Sequence, residues 1–256
     1  MTIMKRITLI ALAAFLVLPI FLNTSAAQAS FYSNIMYPDA LADSIRIPTE
    51  EIFRRNCDAV FLIETFDIDG DSIRTGTGFF ISETGLAVTN LHVINDAESA
   101  VITLYNGDIY PVRGVNAVSE EFNLIIFSID SDKIDWNYLT SADSELIEAG
   151  NTVYVIGSPL GYINTMSGGI ISNAKREVEG EDLIQFTAPI SFGSGGSPLF
   201  NTRGEVIGVT SSSFSYGQNL NLAVPINHIK SMNPGECISL SDLIVDSESE
   251  LPDTDS

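Results

Sequence analysis

The sequence predicts an all-β domain, built as barrels or as a sandwich. Ten short runs of β-branched and aromatic residues recur between Gly, Asn and Asp punctuation. Long segments with a 3.6-residue apolar period are missing. Of the 256 residues 45% are hydrophobic and only 18% charged, enough apolar material for one large β domain or for a double barrel with two joined cores. The runs fall at 60–65, 78–81, 86–89, 101–105, 124–129, 153–156, 169–172, 183–187, 206–210 and 220–224. A short terminal helix is expected at 227–232, with Asn227 as its cap. No internal repeat points to a propeller or a solenoid.

The flanks differ in character from this centre. Residues 1–29 read as a signal peptide: Lys5 and Arg6 open it, an apolar run follows over 7–22, and Ala27-Gln28-Ala29 has the small-x-small form that a signal peptidase accepts. An uncleaved membrane anchor is the rival reading, against which stand the short run and Pro19. Residues 30–51 form a lead-in with Pro38 and Pro48, residues 52–238 the folded domain, and residues 239–256 an acidic, solvated tail.

The formal net charge is −21, and removing residues 1–29 deletes two cations and no anion, which leaves −23. With few Lys or Arg and no clusters of them, the chain is a poor partner for nucleic acid or anionic lipid. Apart from the leader, no segment is apolar enough to span a membrane. With only His92 and His228 as histidines, no CxxC motif and no ligand cluster, neither a metal site nor a cofactor is expected. Cys57 and Cys237 stand near the two ends of the folded region of an exported chain, and a disulfide between them is favoured over two free thiols.

One local pattern carries chemistry. Thr75-Gly76-Thr77-Gly78-Phe79-Phe80-Ile81 is followed by Gly85-Leu86-Ala87-Val88-Thr89-Asn90-Leu91-His92-Val93. Later come Gly157-Ser158-Pro159-Leu160-Gly161, Ser167-Gly168-Gly169-Ile170-Ile171-Ser172, Pro198-Leu199-Phe200-Asn201 and Gly204-Glu205-Val206-Ile207-Gly208-Val209. This ordered series, covering nearly all of 60–230, resembles the trypsin-fold serine proteases of the HtrA type. The resemblance implies a double six-stranded β-barrel with a short C-terminal helix, and it places His92 as the general base of Ser–His acyl transfer. His228, on the terminal helix, reads as a surface side chain.

The same resemblance marks two replaced positions. Where the family has an aspartate at the start of a D-x-A-x-L strand, this chain has Asn123. An amide can hold the imidazole but supplies no charge, and in trypsin this replacement lowers turnover about 10⁴-fold. Glu121, Asp130 and Asp108 stand as candidate substitutes outside the family's register. The nucleophile turn reads Gly193-Ser194-Gly195-Gly196-Ser197-Pro198-Leu199, and anchoring on Gly193, Gly196 and Pro198 puts Gly195 where the attacking hydroxyl belongs. The backbone N–H groups of Gly193 and Gly195 would still form an oxyanion hole. A register slipped by one residue offers Ser194 as nucleophile, with Ser197 a weaker candidate; the plain reading of both is a turn serine bonding its own backbone.

The resemblance also implies a primary specificity pocket floored by Pro189 and Ile190 and walled by Val209, Ser211 and Ala223, with no carboxylate, suited to small or apolar side chains. Proteins of this type usually continue into a PDZ domain; here the acidic tail follows instead, and regulation by such a domain in cis is not expected. The resulting expectation is an exported, impaired or inactive protease-fold protein that binds polypeptide segments by strand addition. Its rivals are an active secreted endopeptidase using His92 and Ser194, and a structural surface protein that reuses a stable barrel. The oligomeric state is left open.

Overall fold

Side chains on successive residues of a strand point to opposite faces, so a strand wedged between two cores is apolar on both and reads as an unbroken hydrophobic run. Residues 124–129 show this. Ile125, Phe127 and Ile129 join one buried cluster with Phe61, Ile63, Phe80 and Ile102, whereas Leu124 and Ile126 join another with Val60, Phe79, Phe200 and Val224. In the computed structural model, which describes residues 46–133, 135–211 and 220–243, this pattern resolves into two closed antiparallel barrels of six strands each.

The first barrel contains β1 (Val60–Phe66), β2 (Ser72–Phe80), β3 (Leu86–Asn90), β4 (Ser99–Leu104), β5 (Ile109–Ser119) and β6 (Leu124–Ile129), closed in the order β1-β2-β3-β6-β5-β4. The second contains β7 (Thr152–Gly157), β8 (Thr165–Val178), β9 (Glu181–Phe186), β10 (Pro198–Phe200), β11 (Val206–Ser211) and β12 (Asn221–Pro225), in the order β10-β11-β12-β9-β8-β7. Each barrel fills its own interior, the first around Phe61, Phe80 and Phe127, the second around Val155, Ile184, Phe186 and Leu199. A third cluster, from Val60 and Phe79 to Phe200 and Val209, draws on strands of both barrels. The helices are short: α1 (Thr49–Asn56), α2 (Leu91–Ile94) and α3 (Asn227–Ser231). None among the described residues is long and apolar enough to cross a membrane.

The expected double barrel and terminal helix are present, with several local corrections. The boundary drawn between residues 51 and 52 cuts through α1, whose eight residues are too few to display a helical period. β5 and β10 have no counterpart among the predicted runs. β5 carries Pro111 and Gly114 and is broken by two bulges against β6, and β10 is three residues long and begins with Pro198. Asn227 is not a cap: Ile226 precedes α3, and the Asn227 amide bonds outward to Asp143 Oδ1 at 2.7 Å. The expected disulfide is absent. Cys57 is a buried free thiol at the end of α1, near the Arg54 carbonyl, whereas the pairing of Ile238 with Val115 carries Cys237 to an exposed place beside Ser128.

Joining the barrels is a compact set of hydrogen bonds about Thr77 of β2, a fully buried residue. Its N–H donates to Gly195 O at 2.9 Å and its hydroxyl donates to Gly193 O at 2.8 Å. The same hydroxyl accepts from Ser158 N–H at 2.9 Å, and Thr77 O accepts from the Thr89 hydroxyl at 2.7 Å. Gly196 completes the fit with φ +83°; a Cβ there would lie 2.2 Å from Thr77 O. Thr77→Val keeps the shape but strands the buried Ser158 N–H and the half-buried Gly193 carbonyl. It should cost about 2–4 kcal/mol in denaturant unfolding of the full chain, and a loss below about 0.5 kcal/mol would show that the clasp contributes little.

Candidate active site

His92 is delivered by β3 and the single turn of α2 that follows it, and it is half-buried. Opposite it, the turn before β6 brings in Asn123 with φ +50°, a left-handed conformation that Asn tolerates better than most side chains. Asn123 is tied to the His92 segment three times: Leu91 N–H donates to its carbonyl at 3.0 Å, the Asn90 amide donates to the same carbonyl at 3.3 Å, and His92 N–H donates to its Oδ1 at 2.9 Å.

That last bond fixes the chemistry of the ring. A peptide N–H only donates, so the side-chain atom facing it must be the amide oxygen, and the NH₂ of Asn123 is the group lying 2.7 Å from His92 Nδ1. The amide donates, Nδ1 accepts, and the neutral imidazole therefore carries its proton on Nε2. A general base that takes a proton from a hydroxyl at Nε2 needs the opposite tautomer. An aspartate in this place would accept from both N–H groups. Burial pushes the His92 pKa below its ordinary value; the Asn123 side chain acts against this, and the nearby Arg74 guanidinium acts with it. None of the candidate substitute acids is hydrogen-bonded to the ring among the described residues: Asp130 pairs with Arg113, Asp108 accepts from Asn106, and Glu121 lies beside Glu181.

The turn 193–196 faces His92 from the second barrel. A cleft of about 370 Å³ is lined by Arg74, Thr75, His92, Val93, Phe192, Gly193 and Gly195. Gly195 thus stands beside His92, while Ser194 is turned the other way. The Ser194 side chain is buried and its Oγ accepts from Ser191 N–H at 3.2 Å, the local bond of a turn serine. Ser194 O is held at 2.6 Å by the Thr210 hydroxyl, which anchors that orientation. Ser197 is also fully buried, its Oγ packed against Gly157 and without a hydrogen-bond partner among the described residues. Neither Gly193 N–H nor Gly195 N–H has an acceptor among the described residues.

The five pocket residues do not line this cleft. Val209 and Ala223 are buried in apolar clusters, Ile190 packs against the second barrel's interior, and Pro189 is exposed with its carbonyl held by the Ser167 hydroxyl at 2.7 Å. Ser211 is buried, with its hydroxyl unpartnered among the described residues. His228 is not a free surface group: its ring lies 3.7 Å, centroid to centroid, from Phe122, and burial lowers its pKa. Sequence reasoning missed Arg74, Thr75 and Phe192. Phe192 carried a signal, a large apolar residue inside a Gly/Ser turn, and it is 86% exposed.

Comparison with known proteins agrees with this geometry. A family model described as a trypsin-like peptidase domain matches residues 76–209, about half of the chain. A protein of Rhizobium meliloti (strain 1021), named a probable periplasmic serine endoprotease, DegP-like, is 34% identical over 155 residues, which cover 59% of this chain and 30% of that one. A protein of Chlamydia trachomatis serovar D with the same name is 37% identical over 146 residues, covering 56% of this chain and 29% of the relative. The chain therefore spans under a third of the length of these relatives. Among solved structures, the HtrA-type protease AlgW with a tripeptide superposes with a TM-score of 0.64 at 26% identity, over 72% of this chain and 62% of the other.

The tautomer is directly measurable. In ¹⁵N-detected NMR of the full chain, His92 should carry its proton on Nε2 and titrate below about 6.5, the ordinary histidine value. Because folding lowers this pKa, the associated stability is complete above about pH 6.5 and declines as the pH falls through that value toward the folded pKa. Asn123→Asp should move the proton to Nδ1 and raise the titration midpoint. Protonation of Nδ1 in the unmodified protein would overturn the assignment.

Proposed function

The chain belongs to the trypsin-like peptidase family, in its HtrA-type branch, and on that premise we propose that it is an exported protease-fold protein with lost or severely impaired acyl-transfer chemistry, whose cleft binds a polypeptide segment. The observation that carries the reading is the bond from His92 N–H to Asn123 Oδ1, because it sets the ring in the tautomer that cannot serve as a general base. Gly195 beside His92, and Ser194 Oγ engaged by Ser191 N–H, support the loss of a nucleophile.

Binding is supported by the surface around the cleft. Phe192, Leu160 and Tyr162 are 86%, 69% and 72% exposed, and Leu160 N–H donates to Phe192 O at 2.8 Å, which keeps two of these apolar side chains on adjoining backbone. An extended peptide finds apolar contacts there and backbone donors at Gly193 and Gly195. Its side chains are small or apolar, since the described lining holds no carboxylate to select Lys or Arg. In this reading residues 1–29 are a cleaved leader and the domain begins at α1; its end lies beyond the expected boundary at 238, because Leu240 is buried in the first barrel's core with Leu243 packed against it, so the first residues of the expected solvated tail at 239–256 belong to the folded domain. The periplasmic names of the relatives favour export.

The relatives' endoprotease names keep one rival in view, an active enzyme using His92 and Ser194. A fluorophosphonate probe and unfolded casein separate the two. The full chain should neither label nor cleave, and Ser194→Ala should change nothing. Labelling that disappears in both Ser194→Ala and His92→Ala would sink the proposal. Gly195→Ser alone should give at most trace hydrolysis, and adding Asn123→Asp should raise it by up to about 10⁴-fold. A folded double mutant without any gain would contradict the assignment of positions 123 and 195.

A further inference from the structure

Among the described residues that line the cleft, Arg74 is the only Lys or Arg and no carboxylate accompanies it, in a chain with 33 acidic side chains and a net charge of −21. The side chain is held in place. Its guanidinium donates to Asn95 O and pairs with Asp96 Oδ2 at 3.3 Å, and that carboxylate is in turn held by the Asn95 amide at 3.3 Å. Asn95 and Asp96 follow directly on α2, the turn that carries His92, so these contacts fix the cation relative to the ring. Its field reaches the ring and helps to lower the His92 pKa.

These partners do not exhaust the guanidinium. It has five N–H donors in a planar fork, and the bonds to Asn95 and Asp96 engage one from each terminal nitrogen. The Arg74 side chain is 39% exposed and Asp96 is 66% exposed, so water screens the pair and leaves capacity for a second carboxylate. A wholly apolar segment in the cleft leaves the remaining donors unmatched. An Asp or Glu side chain meets them with two oxygens in one plane, the geometry that suits the fork. The net charge sets a counterweight: a strongly acidic chain repels acidic ligands at long range, so the attraction is local to Arg74 and does not extend to acidic peptides in general.

We propose that Arg74 selects one Asp or Glu side chain in a polypeptide whose other contacts with the cleft, at Phe192 above all, are small or apolar. This rests on the reading of the cleft as a polypeptide-binding site and specifies the class of segment it takes.

The test titrates the full chain with hexapeptides of Ala, Val and Leu, labelled at the N-terminus and amidated at the C-terminus, that carry a single Glu or a single Gln at each position in turn. Glu should bind at least about threefold tighter than Gln at one position or two neighbouring ones, and no tighter elsewhere. Arg74→Gln should abolish that margin. Arg74→Lys, which keeps the charge, should preserve part of it, and Asp96→Asn, which removes the competing carboxylate, should widen it. Raising the ionic strength should narrow the margin in the unmodified protein. A margin that persists in Arg74→Gln, or that salt leaves untouched, would overturn the role of Arg74. Glu favoured at every position alike would show a general attraction for anions and contradict a single acid site. Glu and Gln bound equally throughout would overturn the selection of an acid and leave polypeptide binding intact, and binding by none of the peptides would overturn both.

Discussion

Thr77 holds the two barrels in the register that makes a cleft at all. The catalytic-type histidine stands on the first barrel and the turn 193–196 on the second, and nothing in either barrel alone sets their separation. Thr77 does so with a backbone N–H and one hydroxyl, fixing Gly195 O, Gly193 O and Ser158 N–H from a fully buried position. Because the groups it grips are backbone atoms, the clasp is indifferent to which side chain occupies position 195. The scaffold can therefore hold its shape with glycine at that position. Fold and chemistry are separable here for a stated physical reason, which is the general condition under which one fold serves several functions.

The chemistry, by contrast, turns on a single amide. Position 123 is held by three hydrogen bonds from the His92 segment, and one of them, from a peptide N–H, admits only an oxygen. Aspartate has a second oxygen for the ring; asparagine has a nitrogen. The consequence is a proton moved from one side of an imidazole to the other with almost no change in heavy-atom positions. Burial acts in the same sense, favouring the neutral ring.

Legibility in the sequence followed the same division. The ten apolar runs lay on strands, some doubly buried as β6 is and others such as β4 buried on alternate residues, and the order of motifs was enough to indicate two barrels. β5 and β10 escaped because Pro111, Gly114 and Pro198 interrupt the pattern that identifies a strand, while the ladder tolerates them through bulges and brevity. α1 escaped through its shortness. Linear separation suggested that Cys57 and Cys237 could meet; only the pairing of Ile238 with Val115 shows where the second thiol goes. At the site, motif spacing placed His92, Asn123 and Gly195 in one neighbourhood, but spacing has no access to side-chain direction. The orientation of Ser194 depends on Thr210, sixteen positions away, and the tautomer of His92 on a bond from its own backbone. Val209 and Ala223, which the family resemblance implies as pocket wall, are buried in apolar clusters.

The central claim is that no hydroxyl of the turn addresses the imidazole. The most direct measurement is the separation of His92 Nε2 from Ser194 Oγ at atomic resolution, by crystallography of the full chain. The account predicts Ser194 Oγ on Ser191 N–H and out of hydrogen-bonding reach of the ring; a separation of about 3 Å, with Oγ directed at Nε2, would contradict it.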